Sequence, residues 1–235
     1  MIKQNFFLLF FLTCILTNVN SQSINQLDQN GQRHGLWKKD FDNTTEPRYE
    51  GTFDHGKEVG VFKFYKLVDG KSKLSATREF IPNSSKINVK FFSSKGKLIS
   101  EGMMNDKIFI GKWSYFHNKT DGIMMIEHYN DVGVLDGEKL VYYDNGQIAE
   151  KSTYVNGQLD GISTWYTTAG NILKVFTYKN GILHGIAKYY NQEGQLLAEG
   201  NYRNDKKHGI WTYYENGVKT EEKDYTVYSK NPKKQ

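Results

Sequence analysis

Three histidines, His34, His184 and His208, stand immediately before a glycine in matching stretches of the chain, and Asp136 and Asp160 hold that place elsewhere. Imidazoles and carboxylates are metal ligands, so metal binding is the first chemistry to weigh. On a sheet, equivalent positions two strands apart lie about 9.5 Å from one another, whereas a Zn–N bond is about 2.0 Å. No cysteine or further carboxylate closes such a site, and hydrogen bonding in turns accounts for these side chains. No metal and no cofactor is expected.

Glu101, Glu150, Glu199 and Glu221 also recur. A catalytic carboxylate pair needs two different environments that separate the two pKa values. A repeated Glu has repeated surroundings, and here it reads as a solvated ladder beside lysines. GxSxG, HExxH, Walker-type and GxGxxG sequences are all absent. No catalytic residue is expected, and the chain reads as a non-enzyme. What remains is an aromatic set, Trp113, Tyr115, Trp165, Tyr189, Trp211 and Tyr213, the candidate binding residues. Contiguous aromatic surface marks partner sites. The competing reading is that these rings cover one another across the strands of a one-layer sheet.

The elements that position these rings come from a phrase repeated roughly every 24 residues. It runs Tyr154-Val155-Asn156-Gly157-Gln158-Leu159-Asp160-Gly161, then Tyr178-Lys179-Asn180-Gly181-Ile182-Leu183-His184-Gly185, then Tyr202-Arg203-Asn204-Asp205-Lys206-Lys207-His208-Gly209. Each copy is followed by an aromatic pair (Trp165-Tyr166, Tyr189-Tyr190, Tyr213-Tyr214) and a second glycine turn. Counted from the glycine, offsets two and four carry Trp37, Phe62, Phe64, Trp113, Tyr115, Trp165, Tyr189, Trp211 and Tyr213. The odd offsets mix Ile, Lys, Thr and Tyr. That is the two-residue alternation of strands and not a helical period.

Asp144-Asn145-Gly146 and Glu215-Asn216-Gly217 predict tight hairpins. The longer Asn180 to Gly185 type predicts the other turn of each unit. Connections this short demand antiparallel neighbours. Fidelity falls upstream: residues 66–95 are degenerate, Ile81 to Ser85 reads as a surface loop, and one extra residue between Gly137 and Tyr143 predicts a bulge. About seven or eight units imply roughly fifteen strands and, at about 4.8 Å per strand, a ribbon on the order of 70 Å long. Hydrophobic content of 38%, aromatic content of 14%, and 22 Gly against 3 Pro suit many short strands.

The glycine turns, several reading His-Gly (His34-Gly35, His184-Gly185, His208-Gly209) with Trp or Tyr shortly after, resemble MORN repeats. The added Tyr-Tyr-x-Asn-Gly phrase is closer to the bacterial MORN-variant, antitoxin-like repeat family. The resemblance implies an all-β fold: an elongated, twisted single-layer antiparallel β-meander of tandem hairpin repeats. It further implies use as a scaffold or binding surface, with no catalytic residues to carry over.

At the start, Met1-Ile2-Lys3 precedes an apolar run from Phe6 to Leu16 and then Asn18-Val19-Asn20-Ser21. This is the order of a secretory signal peptide, residues 1–21, too short to span a membrane comfortably. Residues 22–30 follow as a polar segment, 31–225 as the repeat array and 226–235 as a basic tail. Cys14, the one cysteine, belongs to the leader, so the mature chain has no thiol chemistry. The sequons at Asn43, Asn83 and Asn118 are as many as chance supplies. A net charge of +5, mild and partly carried by the tail, lacks the basic stripe that nucleic acid needs. The expected protein is exported, to a periplasm, a cell surface or the medium, and binds a protein or an envelope polymer through the aromatic face. The alternatives are peripheral binding to anionic membrane lipid and antitoxin- or immunity-like neutralisation of a partner. Pairing of open sheet edges is the expected route to a homodimer.

Overall fold

The computed structural model describes residues 23–226, so the expected leader and nearly all of the basic tail lie outside it. Among the described residues every helix or strand is a strand. The first half holds β1 (Gln26–Leu27), β2 (Arg33–Asp40), β3 (Pro47–Asp54), β4 (Lys57–Val68), β5 (Lys71–Phe80), β6 (Lys86–Phe92), β7 (Leu98–Asn105), β8 (Ile108–Phe116) and β9 (Ile123–Tyr129). The second half holds β10 (Gly137–Tyr142), β11 (Ile148–Val155), β12 (Gln158–Leu159), β13 (Gly161–Tyr166), β14 (Ile172–Lys179), β15 (Ile182–Tyr190), β16 (Leu196–Arg203), β17 (Lys206–Glu215) and β18 (Val218–Asp224). Each strand pairs antiparallel with its successor, except that β12 and β13 share β11. The result is one open meander of 18 strands, more than the sequence pattern implied because β1 and β12 are two-residue pieces.

Turn chemistry explains the register. Asn180-Gly181, Asn156-Gly157 and Asn216-Gly217 have φ of 51° and 81°, 49° and 81°, and 50° and 77°. Two successive positive φ values give the mirror-image turn that matches strand twist. At Asn145-Gly146 only the glycine is positive, at 83°, and Tyr143 closes a longer connection by donating to Gln147 O. The tight hairpin expected there is therefore a longer loop. The Asn180 to Gly185 segment also differs from expectation. Its turn ends at Gly181, and β15 runs straight through His184 and Gly185, the latter a mid-strand irregularity with φ of 121°.

The bulge expected only near Gly137 to Tyr143 recurs throughout. The register shifts between Phe64 and Tyr65, Tyr115 and Phe116, Val141 and Tyr142, Trp165 and Tyr166, Tyr189 and Tyr190, and Tyr213 and Tyr214. An extra residue on the partner strand raises the local twist each time. A repeated aromatic pair thus marks where the ribbon is twisted as well as what it buries.

With no second layer, the core must be built on the sheet's own surface. One row of facing positions crosses the first half as Trp37, Gly51, Phe62, Arg78, Val89, Gly102 and Trp113. In the last units the row reads Phe176, Ala187, Gly200 and Trp211. Phe62, Trp113 and Trp211 each lie over a glycine of the preceding strand, Gly51, Gly102 and Gly200. A Cβ on Gly102 would sit 2.4 Å from the Trp113 ring, and one on Gly200 would sit 2.4 Å from the Trp211 ring. The indoles then donate across the strand, Trp113 Nε1 to Met103 O at 2.9 Å and Trp211 Nε1 to Asn201 O at 3.0 Å. Both rings are 0% exposed. Glycine is required here for close approach rather than for an unusual φ.

Gly102→Ala and Gly200→Ala are each expected to cost about 1–3 kcal/mol, because the indole must lift off the sheet. Gly122→Ala, where a Cβ meets Thr120 Oγ1 at an ordinary 3.5 Å, should stay within about 0.5 kcal/mol of the parent. Denaturant titration of the three variants checks the contrast.

Candidate functional site

Two aromatic rows flank the central one on the same face. Tyr115, Trp165, Tyr189 and Tyr213 form one; Tyr129, Tyr154, Tyr178, Tyr202 and Tyr225 form the other. Of the six candidate residues, Trp113 and Trp211 occupy the central row and have no accessible surface, so a partner cannot touch their rings. They are packing residues, which corrects their place among the contact candidates. Tyr115, Trp165, Tyr189 and Tyr213 are half-buried and present a ring edge or hydroxyl outward.

Hydroxyls and cations bind this surface into a network. Tyr189 and Tyr202 share a hydrogen bond at 3.0 Å, as do Tyr213 and Tyr225. Lys207 donates to the Tyr213 hydroxyl at 3.0 Å and lies 4.0 Å from the centre of the Trp211 ring. Lys174 stands 4.3 Å from the Trp165 ring centre. Burial, helped by Tyr202, pushes the Tyr189 phenol up and keeps it neutral, whereas Lys207, then Tyr225, draws Tyr213 down. The face therefore offers neutral hydroxyls and ring-bound ammonium groups side by side.

In the middle of the array the central row turns polar. Where other units place a glycine under a ring, Ser152 and Ser163 stand side by side, and the two strands before them carry Glu127 and Lys139 in the same row. Glu127 accepts from Tyr129 Oη at 2.6 Å and faces Lys139 Nζ at 3.7 Å. Burial, reinforced by Glu127, raises the Tyr129 phenol strongly. Ser152 donates to Glu150 Oε1 at 2.6 Å. Ser163, 1% exposed, leaves its Oγ without a protein partner. This polar seam separates an aromatic cluster around Trp113 from one around Phe176 and Trp211. Sequence reasoning missed it, although superposing the units at their Gly-to-Trp spacing of eleven residues aligns Ser152 and Ser163 with that pair.

The four glutamates do not share one environment. Glu101 and Glu199 lie on the opposite face with Glu50, each against a cross-strand lysine: Lys90 at 3.1 Å, Lys188 at 3.0 Å and Lys63 at 3.0 Å. Glu150 pairs with Trp165 and Glu221 with Tyr213, which puts both on the aromatic face. The single ladder is thus two sets, because Glu101 and Glu199 stand one residue before a central-row glycine whereas Glu150 stands two residues before Ser152. That opposite face also exposes Leu36, Val61, Ile162, Ile186 and Ile210. Each of the last three faces a polar residue, Thr177, Asn201 or Asp224, so the apolar row is interrupted.

The histidine and aspartate position has a structural role. Asp160 Oδ2 accepts the Asn180 N–H of the next turn at 3.0 Å, and His34 Nδ1 accepts the His55 N–H at 3.4 Å. At these two positions the side chain ties one turn to its neighbour.

The fold and this face define a class: an open, single-layer repeat scaffold with one aromatic side, divided in two by the polar seam. Residues 135–156, 159–180 and 183–204 match the family described as MORN repeat variant, three tandem copies on β10 to β16. The chain thus carries three tandem MORN-variant repeats, and hairpins of the same kind continue on both sides of the matched copies. No curated protein matches the chain.

Ser163→Ala should leave stability unchanged or raise it by about 1 kcal/mol, since it removes a buried hydroxyl without a partner; a thermal melt reads the sign. The acid limb of stability has a separate origin. Glu50 is held below its ordinary value of 4.5 by Tyr65 and then Lys63, and Glu199 below the same value by Lys188 and then Tyr214. Depressed carboxyls contribute stability that is present above the ordinary value and lost as pH falls through the folded one. A Glu50→Gln, Glu199→Gln double variant should be less stable than the parent at neutral pH. The two denaturation curves should converge as pH drops below the carboxylate range.

Proposed function

We propose that the protein is an exported, non-enzymatic scaffold that lays an extended segment of a partner protein along the aromatic face. The observation that carries this reading is the half-buried tyrosine that recurs in each successive unit, Tyr129, Tyr154, Tyr178, Tyr202 and Tyr225, beside two ring clusters with lysines held over Trp165 and Trp211. Tyr and Trp are enriched where proteins meet because one end of the ring is apolar and the other polar. An extended segment fits a surface that is long in one direction and whose chemistry repeats at each hairpin. The polar seam supplies the one break in that repetition, and with it a means of fixing the segment's register. In this reading the leader expected at residues 1–21 carries the protein out of the cytoplasm before the encounter.

Site-specific photocrosslinking distinguishes the two faces. A photoreactive residue at Tyr189 should capture a protein partner, and one at Ile186 on the opposite face should not. Combined Trp165→Ser, Tyr189→Thr and Tyr213→Thr substitution should weaken that capture at least tenfold while the circular dichroism stays β-rich. Capture from Ile186 alone would move the binding surface to the other side. Salt-sensitive flotation on anionic vesicles, without protein capture, would replace the partner with a membrane.

A further inference from the structure

At the first hairpin the turn-tying histidine has company that no other unit supplies. His34 on β2, Asp54 at the end of β3 and His55 in the following turn bring one ligand atom each within 4.8 Å of one another. Asp54 Oδ1 is 3.6 Å from His34 Nδ1 and 3.8 Å from His55 Nε2. In a tetrahedral site with Zn–N bonds of 2.0–2.1 Å, neighbouring donors lie about 3.4 Å apart. The two Asp54–histidine separations are therefore within a few tenths of an ångström of that spacing, and all three side chains are exposed and can adjust.

The nitrogens present lone pairs in the required direction. His55 Nδ1 is 2.6 Å from Asp28 Oδ2. With its hydrogen on that bond, Nε2 carries the lone pair and faces Asp54. The Asp28 carboxylate is 6% exposed, and its other oxygen accepts the Asn30 and Gln32 N–H groups at 2.8 and 2.9 Å. A fixed carboxylate behind a histidine is the arrangement that orients metal-bound imidazoles. His34 Nδ1 accepts only a long 3.4 Å contact from His55 N, which a metal ion taking that lone pair would displace. Among the described residues this is the one such group of three.

We propose that His34, Asp54 and His55 bind a Zn²⁺-class divalent ion, with Asp28 as the positioning residue behind His55. The two imidazoles and one carboxylate leave a fourth position for water. Two nitrogen donors favour zinc, nickel or copper over calcium and magnesium. The site would clamp the start of β2 to the end of β3 and its turn, with the loop before β2 joined through Asp28. It depends on neither the partner nor the aromatic face.

The test uses the untagged chain titrated with Zn²⁺ against a chromophoric chelator, with Co²⁺ as a spectroscopic probe and Ca²⁺ and Mg²⁺ as controls. One Zn²⁺ equivalent per chain is expected, with a four-coordinate Co²⁺ spectrum and no saturable Ca²⁺ or Mg²⁺ binding. His34→Ala and His55→Ala should each weaken Zn²⁺ at least tenfold with the β-sheet dichroism intact. Asp28→Asn, which keeps the loop hydrogen bonds, should weaken it 10- to 100-fold without removing a ligand. No saturable equivalent, or one that survives in both histidine variants, would overturn the assignment.

Discussion

An indole lying on a glycine, with its N–H fastened to the backbone of the glycine's own strand, is the interaction on which this structure rests. A sandwich buries one sheet against another, but an open single sheet has no such cover. It can exclude water only by laying large rings down along its own surface. Where Trp113 and Trp211 do this, the strand beneath must carry no side chain, which is why Gly102 and Gly200 sit there. Phe62 over Gly51 repeats the solution in the first unit. Phe176 beside Ala187 is a relaxed version with the large and small partners exchanged.

That constraint also determines what is left for other molecules. The deepest rings are spent on packing, which leaves the half-buried flanking rows as the accessible part of the aromatic face. The polar seam at Glu127, Lys139, Ser152 and Ser163 is the point at which the packing rule lapses. It divides one continuous ribbon into two aromatic clusters, each completed by its own indole.

Much of this was legible in the residues themselves. The 24-residue phrase, the alternation at Trp113 and Tyr115, and Asn-Gly at positions 180 and 181 were enough to specify strands, faces and turns, because each depends on neighbours close in sequence. What escaped has a common cause. Bulges change which residues face each other across strands, and nothing at Glu101 or Glu150 announces that they end on opposite faces. The burial of Trp113 and Trp211 depends on the glycine of the preceding strand, a pairing visible only once the eleven-residue spacing is applied. The His34, Asp54 and His55 group was obscured for a similar reason. Sequence comparison linked His34 to its distant repeats, whereas its physical neighbours lie across the adjacent strand and its turn.

The uninterrupted succession of strand pairings has a consequence for how such a chain can change. Almost every stabilising contact joins a hairpin to the one before or after it, so relative contact order stays low despite an all-β fold. A gene duplication that inserts one more complete unit adds two rungs and disturbs only a single junction. Length is therefore a variable that selection can adjust in whole steps, and the ribbon works as a ruler whose graduations are its own hairpins.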